Sequence, residues 1–374
     1  MNIAVFTDNF YPHIGGTEKA VYFLCTNLSN LGHKVVVFCP KSKGNDTHTY
    51  NFQVVRMPTF AISKYNETTV PLFNYHKMKK VLKDFKPNLI YYATGTAMAT
   101  CALKMAKKFK VKTVATMHTK FYYAVLGSTK SKLIAKCFVK RVSHKLNKTD
   151  YITTVCNEMV GVLHKQGVKK DVVVIRNGVD KVPAVVKEKP DRKECFNFMF
   201  CGHVIQCKNI QFSLKCLALL KEKYNFSNFK FYIVGGGDYD KKLKKLAKKL
   251  GISENVVFTG MIKDKQKLNE YYQNAHLFLF PSYFDTDGLV CLEAGSNGTP
   301  TLTIKGYGAS ERIVNNETGF VEEYDKEKFT AKIWEIINNN DLYNKVQSNV
   351  YNLEGKSWEE ISKEYLALFE KVAK

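Results

Sequence analysis

The sequence predicts an α/β protein built from two doubly wound parallel-sheet domains in tandem, and three observations carry that expectation. Short β-branched or aromatic runs alternate with amphipathic helical stretches, as βαβ units require. The alternation stops at a Pro- and Lys-rich stretch and then restarts. Glycine-rich turns follow strands in both halves. With 374 residues, 45% hydrophobic content and 24% charged, the chain is long enough for two substantial cores, which excludes a disordered chain.

Taken in order, NIAVFTD, KVVVFCP, NLIYYAT, KTVATMH, YITTV and VVVI read as the strands of the first domain, residues 1–185. VPAVVKEKPDRKE, residues 182–194, reads as a linker. FNFMFCG, FKFYIVG, NVVFTG, HLFLFP and TPTLTI are the strands of the second domain, residues 186–355. Residues 356–374 form a last helix whose Trp358, Ile361, Tyr365, Leu368 and Phe369 recur at helical spacing and are expected to pack back on the first domain. Ligands of such sheets bind beyond the carboxyl ends of the strands, so two facing domains are expected to hold a ligand in a central cleft.

The loops at those ends carry the chemistry. After the first strand, Gly15 and Gly16 let backbone approach a diphosphate, or simply make a tight turn, and Thr17 can cap the helix that follows. The run is not GxGxxG, so a dehydrogenase fingerprint is missing where it should stand. The second domain repeats the device with Gly202 and His203, then Lys208, which either neutralises a phosphate or is a surface lysine, then Gly235, Gly236 and Gly237. His118 ends the strand KTVATMH, where an imidazole can bond a sugar hydroxyl in either tautomer or serve the structure alone.

The segment FPSYFDTDGLVCLEAGSNGTP, residues 280–300, says most. A helix starting at Gly288 leaves Asp285 in the loop before it and carries Glu293 into the first two turns, so both carboxylates can face one pocket. The amides freed at Gly288, Leu289 and Val290 suit a phosphate, being unpaired donors at the positive end of the helix dipole. Hydroxyl-binding acids beside a phosphate site describe a nucleotide sugar. The plainer reading makes Asp285 a cap and Glu293 a solvated helix residue.

Net charge is +23, and residues 1–185 hold 29 Lys+Arg against 9 Asp+Glu (+20), leaving 28 against 25 (+3) for residues 186–374. A basic first half favours an anionic partner: nucleic acid, an anionic membrane face or an acidic substrate. In KSKLIAKCFVKRVSHKLNK, Lys132, Lys136, Lys140, His144 and Lys148 recur every fourth residue. Ile134, Phe138, Val142 and Leu146 do the same two positions later, about 200° around a helix. Such a helix can lie on an anionic bilayer, or pack into a core with a solvated face. The ten cysteines form no CxxC pair, which suits buried thiols in a reducing compartment and gives a zinc site little support. Neither a secretory leader nor an apolar run of membrane-spanning length is expected.

GGTEKAV, the His after a middle strand, VIRNGVD, the glycine strand end with Lys208, IVGGGDYDKKL, NVVFTG and the acid-x7-Glu segment, in this order, resemble family 4 of the retaining glycosyltransferases, with the GT-B fold. The resemblance spans essentially the whole chain. It implies a second domain that binds the nucleotide sugar and a first that binds the acceptor. Position by position, Glu293 holds the ribose, Asp285 the transferred sugar, Lys208 the diphosphate, Gly16 meets the diphosphate, His118 faces the sugar, and the backbone near Met261 meets the base. No metal is implied. Two positions depart from the pattern: His203 stands where Arg is usual, and Asp285 where Glu is usual, although DTDG resembles the variant in the family's lipid glucosyltransferases.

The expected function is transfer of a hexose, glucose from UDP-glucose, to a lipid such as diacylglycerol, by a peripheral enzyme on the cytoplasmic membrane face. The alternatives are a transferase with a sugar acceptor in capsule or surface-glycan assembly, a nucleic-acid binder using the basic half, and a sugar-nucleotide epimerase. The sequence leaves the oligomeric state open.

Overall fold

A computed structural model describes residues 1–13, 15–41, 46, 48–61, 69–71, 74–179, 189–353 and 355–374. The chain divides into two units, Met1–Gly178 with Lys356–Lys374, and Val179–Gly355. The division precedes residue 185, where the sequence placed it. Residues 180–188, most of the expected linker, lie outside the described residues.

The first unit opens with β1 (Asn2–Phe6), α1 (Gly16–Asn30), β2 (Lys34–Pro40) and β3 (Gln53–Met57). The hairpin strands β4 (Thr59–Ala61) and β5 (Thr69–Pro71) come next, then α2 (Tyr75–Phe85), β6 (Leu89–Tyr92), α3 (Ala97–Phe109) and β7 (Lys112–Met117). Two adjacent helices, α4 (Phe121–Thr129) and α5 (Lys132–Leu146), precede β8 (Tyr151–Thr154), α6 (Asn157–Lys165) and β9 (Val172–Val174). The second unit runs β10 (Phe196–Cys201), α7 (Ile210–Tyr224), β11 (Phe229–Val234), α8 (Asp240–Lys249), β12 (Val256–Gly260), α9 (Lys265–Asn274) and β13 (Leu277–Phe280). It closes with α10 (Leu289–Ser296), β14 (Thr301–Ile304), β15 (Phe320–Glu322), α11 (Lys326–Asn338) and α12 (Asn340–Asn349); α13 (Trp358–Ala373) belongs to the first unit.

Each unit is built on one parallel sheet, in the order β3-β2-β1-β6-β7-β8-β9 and β12-β11-β10-β13-β14-β15, and β4 and β5 pair antiparallel in a separate two-stranded sheet of the first unit. Helices cover both faces, so the strands read as unbroken apolar runs. Side-chain alternation splits β1 between two cores. Ala4 and Phe6 face a layer with Phe38, Tyr92 and Met98, while Ile3 and Val5 face one with Leu24, Tyr91, Tyr365 and Phe369. The last two belong to α13, which packs on the first unit as the sequence predicts. A capping box starts that helix: Ser357 Oγ accepts from the Glu360 amide, and the Glu360 carboxylate accepts from the Ser357 amide.

Three details differ from the sequence reading. α1 is capped by Gly15 without a side-chain bond, and Thr17 lies in the first turn. The buried Glu18 carboxylate takes the space beside Gly15 and pairs with His13 Nδ1 at 3.0 Å, occupying the place a capping side chain would take. In the expected linker, Lys189 is tied to the second unit, donating to Gln273 O, Ala275 O and Thr299 Oγ1 at 2.9, 2.6 and 3.0 Å. The apolar stripe of α5 changes character along its length. Val142 and Leu146 are core, Phe138 is half-buried against Phe121, and Ile134 is 51% exposed beside Leu133 at 72%. Lys148 lies beyond the helix end.

Candidate functional site

The second sheet reverses its winding between β10 and β13: the chain leaves β10 toward β11 and β12, then crosses to β13 on the other side. Loops leaving the two strands diverge there and open a crevice at their carboxyl ends. Gly202, His203 and Lys208 follow β10, and Asp285 follows β13, so topology alone brings these residues to one place.

The glycines at that end make the loops fit each other. Gly202 (φ 142°) and Gly235 (φ 129°) occupy backbone space that side chains avoid. A Cβ on Gly235 would drive into Gly202 O, and one on Gly237 into Val204 O. The Gly202 amide donates to Val234 O and the Val204 amide to Gly236 O, both at 3.0 Å. Gly236 alone of the three has open space where a Cβ would stand, so its backbone is the one a ligand can reach. The Gly235 amide donates to Gly260 O at 2.9 Å, which sets Met261, 60% exposed, beside the same loop. His203 is exposed.

Lys208 Nζ lies 2.5 Å from Asp285 Oδ1, and both side chains are largely enclosed. The other oxygen, Asp285 Oδ2, is buried and takes no hydrogen bond. An enclosed carboxylate oxygen without a donor is costly unless a ligand hydroxyl or water serves it. The lysine and the acid singled out from sequence are thus each other's counter-ion.

α10 begins after Gly288, whose φ of 64° turns the chain into the helix, and no side chain caps it. Its first-turn amides, at Leu289 and Val290, are left to solvent or a ligand. Glu293 stands in the second turn, where the Tyr272 hydroxyl donates to Oε2 at 3.3 Å. Burial pushes the Tyr272 phenol well above its ordinary value, so it remains a donor. The Cys201 thiol beside it is pushed up to about 12, chiefly by burial, and so stays protonated near pH 7. A shallow depression of about 580 Å³ between Trp334 and Asp341 is lined by none of these residues.

Sequence reasoning missed several partners. Asn209, left-handed and buried, donates to Pro281 O at 3.0 Å and holds the start of the acid loop. Arg312 grips Asp287 in a fork, Nε to Oδ1 at 2.8 Å and Nη2 to Oδ2 at 2.9 Å. Only DTDG hinted at the second, because Asp287 lies inside the motif and Arg312 far outside it. Among the described residues, no group of three His, Cys, Asp or Glu could hold a metal ion.

The remaining candidates lie in the first unit. Gly15 and Gly16 follow β1 and His118 follows β7, at carboxyl ends of one sheet. His118 is half-buried, and burial lowers the imidazole to about 4, so it is neutral near pH 7. Lys120, two residues on, is buried and pairs with Glu158 at 2.6 Å. Lys132, Lys136 and Lys140 are exposed on α5, and Lys148 is exposed in the turn after it. No helix among the described residues is long and apolar enough to cross a membrane.

Comparison with known proteins matches residues 14–182 to the model of Glycosyltransferase Family 4 and residues 184–353 to that of Glycosyl transferases group 1. The alpha-monoglucosyldiacylglycerol synthase of Streptococcus pneumoniae is 27% identical over 319 residues, 81% of this chain and 70% of that protein. The phosphatidylinositol N-acetylglucosaminyltransferase gpi3 subunit of Schizosaccharomyces pombe is 25% identical over 328 residues, 84% of this chain and 68% of that one. The crystal structure of Anabaena Alr3699/HepE in complex with UDP superposes with a TM-score of 0.78 at 15% identity, covering 99% of this chain and 100% of that one, a likeness of fold.

Proposed function

The chain belongs to the glycosyltransferases, with a family 4 first domain and a group 1 second domain, and we propose that it moves glucose from UDP-glucose to a lipid hydroxyl, such as that of diacylglycerol, with retention at the anomeric carbon. The observation that carries this is the Lys208–Asp285 pair at the winding reversal, with an unserved carboxylate oxygen beside an uncapped helix start. A diphosphate arriving there takes over Lys208 as its counter-ion and lies against the α10 amides and the Gly236 backbone. Asp285, released from Lys208, accepts hydroxyls of the sugar, and Glu293 accepts those of the ribose. Met261 and the chain next to it flank the base.

In the transfer step the bond from the anomeric carbon to the phosphate oxygen breaks. The acceptor oxygen bonds to that carbon on the same face, and its proton passes to the departing phosphate. Charge grows on the diphosphate as the bond breaks, and Lys208 with the helix amides stabilises it without reorganising. These groups take the part a cation would otherwise play, so the reaction is proposed to need no metal.

Two features support the lipid acceptor. The relatives named above include lipid glycosyltransferases, and the α4–α5 end exposes Leu133 and Ile134 beside Lys132, Lys136 and Lys140. Apolar side chains framed by cations suit an anionic lipid surface, which supports a peripheral position on a cytoplasmic membrane face. The test is a panel of labelled nucleotide sugars, with EDTA, with and without anionic vesicles containing diacylglycerol. The proposal requires lipid-extractable label from UDP-glucose and an α-configured product by NMR. Transfer only to soluble glycans, or only with added metal, contradicts it.

A further inference from the structure

Asp285 sits on the stretch 281–288, which forms neither helix nor strand, so something other than regular hydrogen bonding must aim its carboxylate. Three tethers are present. Asn209 holds Pro281 O at the start, and Ser282 Oγ accepts from the amides of Phe284 and Asp285 at 3.2 and 3.3 Å in the middle. At the end, Arg312 grips Asp287 through two parallel bonds, with side chains only 5% and 2% exposed.

That last tether differs from the others in kind. Taking two opposite charges fully out of water offsets most of their attraction, so such a pair adds little stability over apolar groups of the same volume. What a two-point fork adds is orientation: it fixes the plane of the carboxylate as well as its distance. The chain beside it is equally constrained. A Cβ on Gly288 would stand 2.8 Å from Ala309 Cβ, so the loop end and the stretch carrying Arg312 are pressed together at two adjacent points. Asp285 lies two residues from the fork, with one oxygen on Lys208 and the other enclosed and unserved.

Resting on the donor-site reading above, we propose that the Asp287–Arg312 pair is a positioning clamp that aims Asp285 at the transferred sugar, with Arg312 acting through Asp287 and touching no substrate. Gripping the diphosphate depends on Lys208 and on the α10 amides, whose start is seated by the close packing of Gly288 on Ala309 and not by the fork. The clamp therefore affects the sugar-dependent part of the reaction alone.

A double-mutant cycle tests this. Wild type, Asp285→Asn, Arg312→Lys and the double variant are compared for UDP affinity by calorimetry, for turnover of UDP-glucose and for melting temperature. Arg312→Lys keeps the charge and loses the fork. It is expected to bind UDP within about twofold of wild type and to lose about tenfold or more in kcat, since small misplacements of a reacting group cost that much. Added to Asp285→Asn, it should cause no further loss. Losses that multiply, an equal loss of UDP affinity, or wild-type turnover by Arg312→Lys would overturn the clamp. Full turnover by Asp285→Asn would instead overturn the donor-site reading, and the clamp with it. The paired Asp287→Leu/Arg312→Met variant strands no buried charge and covers the case in which Arg312→Lys does not fold. It too should bind UDP and lose turnover, and retained turnover counts against the proposal.

Discussion

At the scale of single residues, the proposed site holds one enclosed ion pair, Lys208 with Asp285, beside a carboxylate oxygen that no donor serves. Lys208→Ala removes the cation proposed to meet the growing diphosphate charge, and turnover is expected to fall about 10²- to 10³-fold, the range for one lost donor to a developing anion. Glu293→Ala removes bonds of a charged acceptor, each worth about 1.5 to 3 kcal/mol, and should appear mainly as a raised KM for the donor. Steady-state kinetics on both variants, with circular dichroism to confirm folding, checks the assignment. Asp285 and Glu293 were legible because an acid, a glycine helix start and a second acid are neighbours in sequence. Tyr272 and Arg312 were not, since each reaches its partner from a different strand–helix unit.

The neutral imidazoles make a pH prediction. His118 and His276, both lowered to about 4 chiefly by burial, bind fewer protons folded than unfolded between about 4 and the ordinary value of 6.5. Stability is therefore unaffected by them above 6.5 and falls as pH drops from there toward 4. Lys189, lowered to about 7 by burial among neutral acceptors, shifts the same kind of loss higher: full stability near 10.5, declining as pH falls to about 7. Melting curves of Lys189→Met should be flatter than wild type between pH 7 and 10. An unchanged slope would contradict the burial of that amine.

At the scale of elements, the parallel strands were legible because burial on both faces writes them as continuous apolar runs, and α13 because its stripe is regular. α4 was not: its sequence, FYYAVLGST, has the aromatic and β-branched content of a strand, and its pairing with α5 makes it a helix. For the stripe on α5 the sequence left two readings open, a core-packed face and a bilayer face. The same four-residue spacing serves a core at Val142 and Leu146 and an exposed end at Ile134. Replacing Leu133 and Ile134 with Ser, or reversing Lys132, Lys136 and Lys140 to Glu, is expected to weaken flotation with anionic vesicles. Each cation near such a surface is worth about 1 kcal/mol. Hydrolysis of the donor without acceptor should be spared. Flotation unchanged in both variants would remove the membrane from the account.

At the scale of the whole molecule, the sequence showed two domains but not where the chain passes between them, because residues 180–188 carry no periodic pattern and the tie at Lys189 is a tertiary event. The first unit depends on residues from both ends of the chain. Phe369, fully buried against Tyr91 at 5.5 Å, is a measure of that dependence. Phe369→Ala is expected to cost about 3 to 5 kcal/mol and lower the melting of the first unit, while UDP affinity, a property of the second, stays at the wild-type value. A parallel loss of UDP binding would show that the two units do not fold as separate cores.

The central claim, that the crevice between β10 and β13 takes a nucleotide sugar through its diphosphate, is tested most directly by a crystal soaked with UDP-glucose. The account predicts the diphosphate at Lys208 Nζ and the α10 amides, the ribose at Glu293, and a glucose hydroxyl on the oxygen of Asp285 that nothing now serves. Density for the nucleotide elsewhere, with Lys208 still paired to Asp285, would contradict it.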